Sequence, residues 1–362
     1  MSGYARFCCT YRIYVAALFG SVAFVVVPGA KVLGGPVSFT TFTTANGLGS
    51  NSVRSVSPLS AFILHAATAN GVSKAMYDGT AWGNWTNTTS GLASVNVRDV
   101  QISGNFHRAA TNGGVSWGIT YGNASAPSFS SNSTTANGLG SNDVRSVHGV
   151  YAATAGGVSV STGSPPTSWT NYTTSHGLGS NDVRGVFAAG NTAYAATAGG
   201  LSIATGSPST SWTNYTTANG LGSNDVRSVF ALSGTIYAAT GAGVSLSTNG
   251  GANWTNYTSA NGLGSNDVRS VFALSGTIYA ATGGGVSLST NGGVNWTNYT
   301  TANGLGSNDV NDVVADASFI YVATNGGLSI APVAVPEPST YAMALAGLAC
   351  GGYSIVRRRK RA

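Results

Sequence analysis

The sequence predicts an all-β protein, a seven-bladed β-propeller of four-stranded blades, and three observations support that prediction. The chain repeats itself at intervals of roughly 42 residues, and the segment from Ala218 to Gly241 recurs unchanged at 260–283. Among 362 residues, 43% are hydrophobic, 7% are charged and 51 are glycines, a composition that suits short strands joined by frequent turns. The last repeat lacks its final strand, and the segment before the first repeat supplies a matching one.

Two short motifs mark the repeats. The glycine of an Asn-Gly-Leu element, or a close variant of it, recurs at Gly47, Gly91, Gly138, Gly177, Gly220, Gly262 and Gly304. A second motif, Ala-Thr-x-x-Gly-(Val/Leu)-Ser, places its threonines at Thr68, Thr111, Thr154, Thr197, Thr240, Thr282 and Thr324. Because a fixed period of about 20–50 residues is typical of solenoids and propellers, seven copies of each motif predict seven structural units.

Each repeat divides into four strands. From Asn219 onward, the segments VRSVFAL, TIYAAT, GVSLST and WTNYTT are separated by turns rich in Gly, Ser and Asn. Four short strands in succession form a meander, which matches one propeller blade. The seventh unit stops near Ala331, after its third strand, whereas Phe39 to Thr44 has the aromatic spacing of the missing fourth strand. We therefore expect the N-terminal strand to close the ring and remove exposed sheet edges. An open β-solenoid is the alternative, but a split final unit has no use there.

The segments NGLGSNDVRSV, GTIYAATGGGVS and WTNYT resemble the two-component-regulator type of propeller repeat over residues 37–331. In that family the propeller is a periplasmic sensor attached to a kinase, and no kinase follows in this sequence, so we do not expect the signalling role. The hairpins STNGGANW and STNGGVNW also resemble the Asp-box of sialidase-type propellers, with Asn249 and Asn291 in place of the aspartate. The Asp-box is a fold-stabilising turn and does not imply hydrolysis.

Both ends of the chain are predicted to be targeting segments that form hydrophobic helices. Residues 1–34 contain Arg6 and Arg12, an apolar run and then small residues, the layout of a secretory signal peptide. A permanent N-terminal anchor is the alternative. The predicted propeller domain covers residues 35–334.

Residues 335–362 combine a short motif, Pro336-Glu337-Pro338, an apolar stretch from Tyr341 to Val356 and a basic cluster at 357–361. This order resembles the PEP-CTERM sorting signal of Gram-negative bacteria. The resemblance implies an exosortase-type processing enzyme as a partner, a transient anchor in the inner membrane and a link to exopolysaccharide. An ordinary tail anchor is the alternative. Either interpretation predicts that the middle of the chain lies in the cell envelope or outside the cell.

The net charge of +6 comes from the two ends, because residues 35–336 contain eight cations and nine anions. This balance gives no basic footprint for nucleic acid. The three cysteines, Cys8, Cys9 and Cys350, lie in the terminal segments, so the middle has no disulfide framework and no thiolate metal site. We predict no cofactor.

No catalytic constellation stands out, and we expect the protein not to be an enzyme. No glutamate precedes Glu337, five aspartates recur at one repeat position, and the four histidines lack zinc-ligand spacing. A propeller glycosidase or lyase with an unrecognised site remains the alternative.

The best candidate binding residues are arginines that share one repeat position at the start of the innermost strand: Arg54, Arg98, Arg145, Arg184, Arg227 and Arg269. Asn311 takes this position in the seventh repeat. Such a ring at one mouth of the central channel would attract carboxylates or phosphates, including acidic exopolysaccharide. The alternative is local pairing, because an aspartate stands two residues earlier in five repeats.

These observations lead to one functional hypothesis. The chain is predicted to be an exported, non-catalytic cell-surface or extracellular-matrix module that binds glycan or a surface protein. A purely structural matrix protein is the main alternative.

Overall fold

The computed structural model describes residues 11–18, 21–28, 37–120, 126–163, 166–206 and 211–333. The chain divides into two units, of which Ser38–Pro332 is one and the two terminal segments are the other. Among the described residues, no helix has both the length and the apolar character needed to cross a membrane.

In the N-terminal segment, strand β1 (Tyr11–Leu18) pairs antiparallel with β2 (Ser21–Pro28). The prediction of a hydrophobic N-terminal helix was therefore wrong. The run is rich in Val, Ile, Tyr and Phe, whose β-branched and aromatic side chains favour strands over helices. The predicted C-terminal helix and the sorting motif lie outside the described residues.

The second unit is a ring of seven four-stranded antiparallel sheets, which confirms the predicted propeller. Strand β3 (Thr40–Phe42) comes first in this unit. Blade one contains β4 (Val53–Ser60), β5 (Ile63–Thr68), β6 (Gly71–Tyr77) and β7 (Trp82–Thr88). Blade two contains β8 (Val97–Ser103), β9 (Phe106–Thr111), β10 (Gly114–Ile119) and β11 (Ser131–Ser133). Blade three contains β12 (Val144–His148), β13 (Tyr151–Thr154), β14 (Gly157–Thr162) and β15 (Ser168–Tyr172).

The remaining blades repeat this pattern. Blade four contains β16 (Val183–Ala189), β17 (Thr192–Thr197), β18 (Gly200–Thr205) and β19 (Thr213–Tyr215). Blade five contains β20 (Val226–Leu232), β21 (Thr235–Thr240), β22 (Gly243–Ser247) and β23 (Thr255–Tyr257). Blade six contains β24 (Val268–Leu274), β25 (Thr277–Thr282), β26 (Gly285–Ser289) and β27 (Thr297–Tyr299). Blade seven contains β28 (Val310–Ala315), β29 (Phe319–Thr324), β30 (Gly327–Pro332) and the N-terminal strand β3.

The N-terminal strand closes the ring as the sequence predicts. Strand β3 pairs antiparallel with β30, with Thr41 opposite Ser329 and Phe42 opposite Leu328. Phe39, just before the strand, is buried and packs edge-on against Tyr299 of blade six. Closure therefore joins the two ends of the propeller through both backbone pairing and an apolar contact.

The connection between blades is a short 3-10 turn, which the sequence analysis did not predict. Six such turns are described, at Thr44–Asn46, Thr135–Asn137, Thr174–His176, Thr217–Asn219, Ser259–Asn261 and Thr301–Asn303. Each ends at a motif glycine with positive φ, and a Cβ on Gly138 would approach the Trp169 carbonyl oxygen to 2.3 Å. A side chain cannot fit there, so glycine is required at this position.

The Ala-Thr-x-x-Gly-(Val/Leu)-Ser motif is a structural clamp. In every blade the motif threonine is fully buried, and its hydroxyl donates to the motif glycine carbonyl, as Thr154 does to Gly157 at 2.8 Å. The motif serine accepts from the backbone N–H of the incoming linker, as Ser159 does from Gly140 at 3.0 Å. The motif therefore fixes the turn between the second and third strands against the linker.

Candidate functional site

The six candidate arginines lie around one mouth of the central channel. The innermost strands of all blades run in the same direction, so residues at their starts meet at one end of the channel. The cavity there has a volume of about 730 Å³. It is lined by Ser52, Arg54, Asn96, Arg98, Arg145, Asp182, Arg184, Arg227, Asn311 and Asn325. We call this cavity the arginine mouth.

Most of these arginines form ion pairs between neighbouring blades. Arg98 contacts Asp143 at 2.7 Å, and Arg269 contacts Asp309 at 2.5 Å. The same contact to the next blade joins Arg145 to Asp182, Arg184 to Asp225, and Arg227 to Asp267. These five pairs connect blades two to seven in a continuous series.

Four of the arginines also contact an aspartate of their own blade. Arg145, Arg184, Arg227 and Arg269 also approach the aspartate two residues earlier, at 3.1–3.6 Å. The local pairing that the sequence suggested is thus present, but in all four of these blades it is longer than the contact to the next blade. The sequence could not supply the contact to the next blade, because it depends on the rotation from one blade to the next.

The ion-pair series is broken at blades one and two. The position that holds aspartate in five blades holds Ser52 and Asn96 there. Arg54 therefore donates to the amide oxygen Oδ1 of Asn96 and has no carboxylate partner among the described residues. Six arginines face five aspartates around the mouth, and the unbalanced positive charge lies at this break.

The pKa values of the arginines differ between the break and the ion-paired part of the mouth. Burial, together with the charge of Arg98, lowers the pKa of Arg54. Burial alone would also lower the pKa of Arg227, but its hydrogen bond and attraction to Asp267 outweigh that cost and raise it. Hydrogen bonding from Arg227 in turn lowers the pKa of Asp267. Positive charge is therefore compensated in blade five and uncompensated in blade one.

On the other side of the break, Asn311 occupies the arginine position of blade seven. Its Nδ2 donates to the Val53 carbonyl at 2.7 Å and to Asn325 Oδ1 at 2.9 Å. Ser52 Oγ donates to the same Asn325 oxygen at 3.4 Å. The rim of the break therefore consists of neutral hydrogen-bonding groups that carry no opposing charge.

The other end of the channel has a different character. A cavity of about 350 Å³ is lined there by side chains three residues after the arginine position. His148, Phe187, Phe230 and Phe272 form an arc of adjacent rings, with centroids 4.6, 4.9 and 4.7 Å apart. Ser57 and Gln101 hold the equivalent position in blades one and two. The sequence analysis missed this arc, although the recurring Phe of VRSVF and VRGVF was a visible signal for it.

Two aspartates that the sequence left unexplained lie in the channel wall. Asp99 accepts from Ser55 Oγ at 2.7 Å and from the Val147 N–H at 2.9 Å. Asp312 accepts from Ser270 Oγ at 2.7 Å and from the Val56 N–H at 3.1 Å. Desolvation raises the pKa of Asp312. Each carboxylate thus braces the blades on either side of its own.

The histidines occupy separate environments. His65 and His107 are buried between blades one and two, with ring centroids 6.1 Å apart, and Lys74 is buried with them. His176 lies at the end of a 3-10 turn, where its Nδ1 accepts from the Thr173 N–H at 3.1 Å. Within the part of the chain that the structure describes, no group of three or more His, Cys, Asp or Glu side chains could hold a metal ion.

Comparison with known proteins identifies the C-terminal motif and the fold. Residues 334–360 match the PEP-CTERM protein-sorting motif, which confirms that resemblance. No curated protein matches the chain significantly in sequence.

Several solved propellers are similar in structure. One is the extracellular domain assigned to the hybrid two-component system BT3049 of B. thetaiotaomicron, at TM-score 0.62 and 20% identity over 83% of this chain. The chain spans 42% of that domain's length. YCF48 bound to D1 peptide has TM-score 0.59 and 15% identity, with coverage of 83% of this chain and 96% of that one. PorZ, a bacterial surface component of the type-IX secretion system of Porphyromonas gingivalis, has TM-score 0.55 and 15% identity over 86% of this chain and 48% of its own.

At these identities the structural similarity establishes the fold alone. The chain is a seven-bladed β-propeller whose channel opens through an arginine-lined, largely ion-paired mouth. It carries a PEP-CTERM protein-sorting motif and is thereby marked for export to the cell envelope or surface.

Proposed function

We propose that the protein is a non-catalytic module of the cell surface or extracellular matrix that binds an acidic glycan, such as exopolysaccharide, at its arginine mouth. The observation that carries this proposal is the mouth itself, a cavity of about 730 Å³ lined by polar and charged side chains with a surplus of positive charge. Its size lies within the range of small-ligand sites, roughly 300–1,000 Å³.

The sorting motif supports the location of this function. An exosortase-type enzyme is the processing partner that the motif implies, with the C-terminal segment holding the protein in the inner membrane until processing. Export brings the propeller to the compartment in which an acidic polysaccharide of a Gram-negative envelope would be met.

Binding of the exported protein to the producing organism's own exopolysaccharide tests the proposal. Calorimetric titration of the protein recovered from the envelope fraction should give saturable binding that weakens as salt is added, because screening reduces attraction between charges. The same polymer with its carboxyl groups reduced is the control and should not bind. Absence of binding to the native polymer would overturn the glycan assignment.

A structural matrix role is the second candidate, and the ion-paired series in blades two to seven favours it. Arginines such as Arg184, held between two carboxylates, join neighbouring blades and need no ligand. A surface protein is a further partner to consider, since the structurally similar YCF48 binds a peptide. The titration separates the glycan proposal from both of these alternatives.

A further inference from the structure

We propose that the break in the ion-pair series is a receptor for one carboxylate of an acidic sugar, held by Arg54 and Arg98 with Asn96 between them. This inference rests on the proposed function and assigns its ligand contact to one sector of the mouth. It replaces a six-arginine ring by a two-arginine site, because the other four arginines are occupied by carboxylates of the protein.

The repeat itself provides the comparison. In blades three to seven, an aspartate stands two residues before the arginine position, and in blades three to six it contacts arginines of two blades. The equivalent residue of blade two is Asn96, which has nearly the same size as aspartate but no charge. One contact of the turn is kept, since Asn96 N–H donates to Ser94 Oγ at 3.2 Å, as Asp143 N–H does to Ser141 Oγ at 3.1 Å, although Val95 replaces the Asn142 of that turn. At this one position, the difference between the blades is therefore one missing negative charge.

A bound carboxylate would supply that missing charge. Arg54 has no carboxylate partner among the described residues, and Arg98 has one, Asp143. Guanidinium groups bind carboxylates in a forked geometry with strong, charge-assisted hydrogen bonds. The Asn96 oxygen already accepts from Arg54, and the other half of the same amide, Nδ2, is a hydrogen-bond donor. Two cations and an amide thus line the cavity beside the position where five other blades place a carboxylate.

The lining of the mouth favours a sugar over a protein segment. Every residue that lines the cavity is Arg, Asn, Ser or Asp, and no apolar side chain takes part. Protein partners are usually anchored by buried aromatic or aliphatic side chains, for which this cavity offers no matching surface. A sugar ring with hydroxyl groups and one carboxylate matches a lining of amides, hydroxyls and guanidiniums. The chemistry therefore points to a uronic-acid residue.

The electrostatics of the arginines agree with this assignment. Burial and the charge of Arg98 lower the pKa of Arg54, whereas Asp267 raises that of Arg227. An anion at the break would relieve the repulsion between Arg54 and Arg98 in the way that aspartates do elsewhere around the mouth.

Titration of the exported protein with tri-galacturonate tests the receptor. The fully methyl-esterified trisaccharide, inorganic phosphate and a glutamate-rich peptide serve as comparison ligands. We expect tri-galacturonate to bind, the ester to lose binding, and both Arg54→Ala and Asn96→Asp to weaken binding by at least about tenfold, since hydrogen bonds to charged groups are among the strongest in proteins. The Asn96→Asp variant fills the break with the residue that five other blades carry, so it remains informative if Arg54→Ala fails to fold.

Arg269→Ala is the matched control, because it removes the same charge at the same repeat position, from an arginine that does not line the cavity and that two carboxylates already hold. Binding within about threefold of wild type is expected for it, since solvent screens charge at a distance. An equal loss in Arg269→Ala and Arg54→Ala would overturn the local site, as would full binding by Asn96→Asp. Tighter binding of phosphate or peptide than of tri-galacturonate would overturn the sugar assignment. If exopolysaccharide binds but Asn96→Asp has no effect, the proposed function stands and this inference fails.

Discussion

Thr41 Oγ1 lies 2.7 Å from Ser329 Oγ and donates to the Gly304 carbonyl at 2.7 Å, so that one hydroxyl joins the first and last strands of the propeller. In blades five and six an asparagine makes the two equivalent hydrogen bonds. Asn256, for example, accepts from Ser245 Oγ at 2.6 Å and donates to the Gly220 carbonyl at 2.9 Å. The closing strand thus reproduces, with a shorter side chain, a hydrogen-bond pattern that blades five and six share.

Replacing Thr41 by valine tests this closure. Thr41→Val keeps the shape of the side chain but leaves the buried Ser329 hydroxyl and the half-buried Gly304 carbonyl without this partner, so we expect a loss of about 1–3 kcal/mol in the free energy of unfolding. Thr41→Asn restores the residue of the other blades and should recover most of that loss. Urea unfolding of the exported protein measures both. Thr40→Val, on an exposed neighbour, is the control and should change stability by less than about 0.5 kcal/mol.

The ion-paired series is expected to contribute a modest, salt-sensitive stability. Arg184→Ala removes contacts to Asp182 and Asp225 and should cost about 0.5–1 kcal/mol at low ionic strength, because these pairs are partly exposed. Urea unfolding with and without about 1 M NaCl should show that added salt removes most of the difference. Arg54→Ala loses an arginine of the same repeat position that has no carboxylate partner in the described structure. If Arg54→Ala lost the same amount of unfolding free energy with the same salt dependence, the ion pairs would not be the cause of the stability difference.

Extending the ion-pair series from blade two to blade one should stabilise the protein. Asn96→Asp places a carboxylate beside Arg54 and Arg98, and we expect a gain of about 0.5–1 kcal/mol at neutral pH and low salt. The change in melting temperature, measured beside that of wild type, gives the answer. A lower melting temperature would mean that the Asn96 amide stabilises the turn, which would contradict the expected gain from a new ion pair. If Asn96→Asp raises the melting temperature and also weakens binding of tri-galacturonate, the break lowers stability and serves ligand binding.

The buried histidine pair predicts acid sensitivity. Burial, with smaller effects of His107 and Lys74, lowers the pKa of His65 to about 3, while an unfolded histidine titrates near 6.5. Between these values the unfolded state binds more protons, so the contribution of His65 to stability is intact above about pH 6.5 and falls as the pH drops towards 3. At pH 5 the expected loss from this residue is about 2 kcal/mol.

The variant His65→Gln isolates this effect, because glutamine does not titrate. The difference in unfolding free energy between pH 7.5 and pH 5 should be smaller in the variant by about 2 kcal/mol. An unchanged pH dependence in His65→Gln would show that other groups cause the acid sensitivity.

The blade count and the closing strand could be predicted because each depends on a local pattern. Seven copies of the Thr and Ser motif gave seven blades, and each motif proved to be one buried clamp. The aromatic spacing of Phe39 and Phe42 predicted that β3 would pair with β30. The prediction of an N-terminal helix was wrong because hydrophobicity alone does not distinguish a helix from a strand. The β-branched and aromatic residues of this run favour the paired strands that the structure has.

The repeat position of the six arginines, the aspartates before them and the substitutions Ser52 and Asn96 were all determined by the sequence. The tertiary structure decided which carboxylate each arginine meets, because the contact to the next blade depends on the twist and rotation between neighbouring sheets. That geometry occupies the arginines of blades three to six from both sides and leaves Arg54 facing an amide. The same rotation brings His148 and three phenylalanines from separate blades into one arc at the other end of the channel. A linear sequence can state which residues recur, but only closure of the ring determines which recurring residues touch.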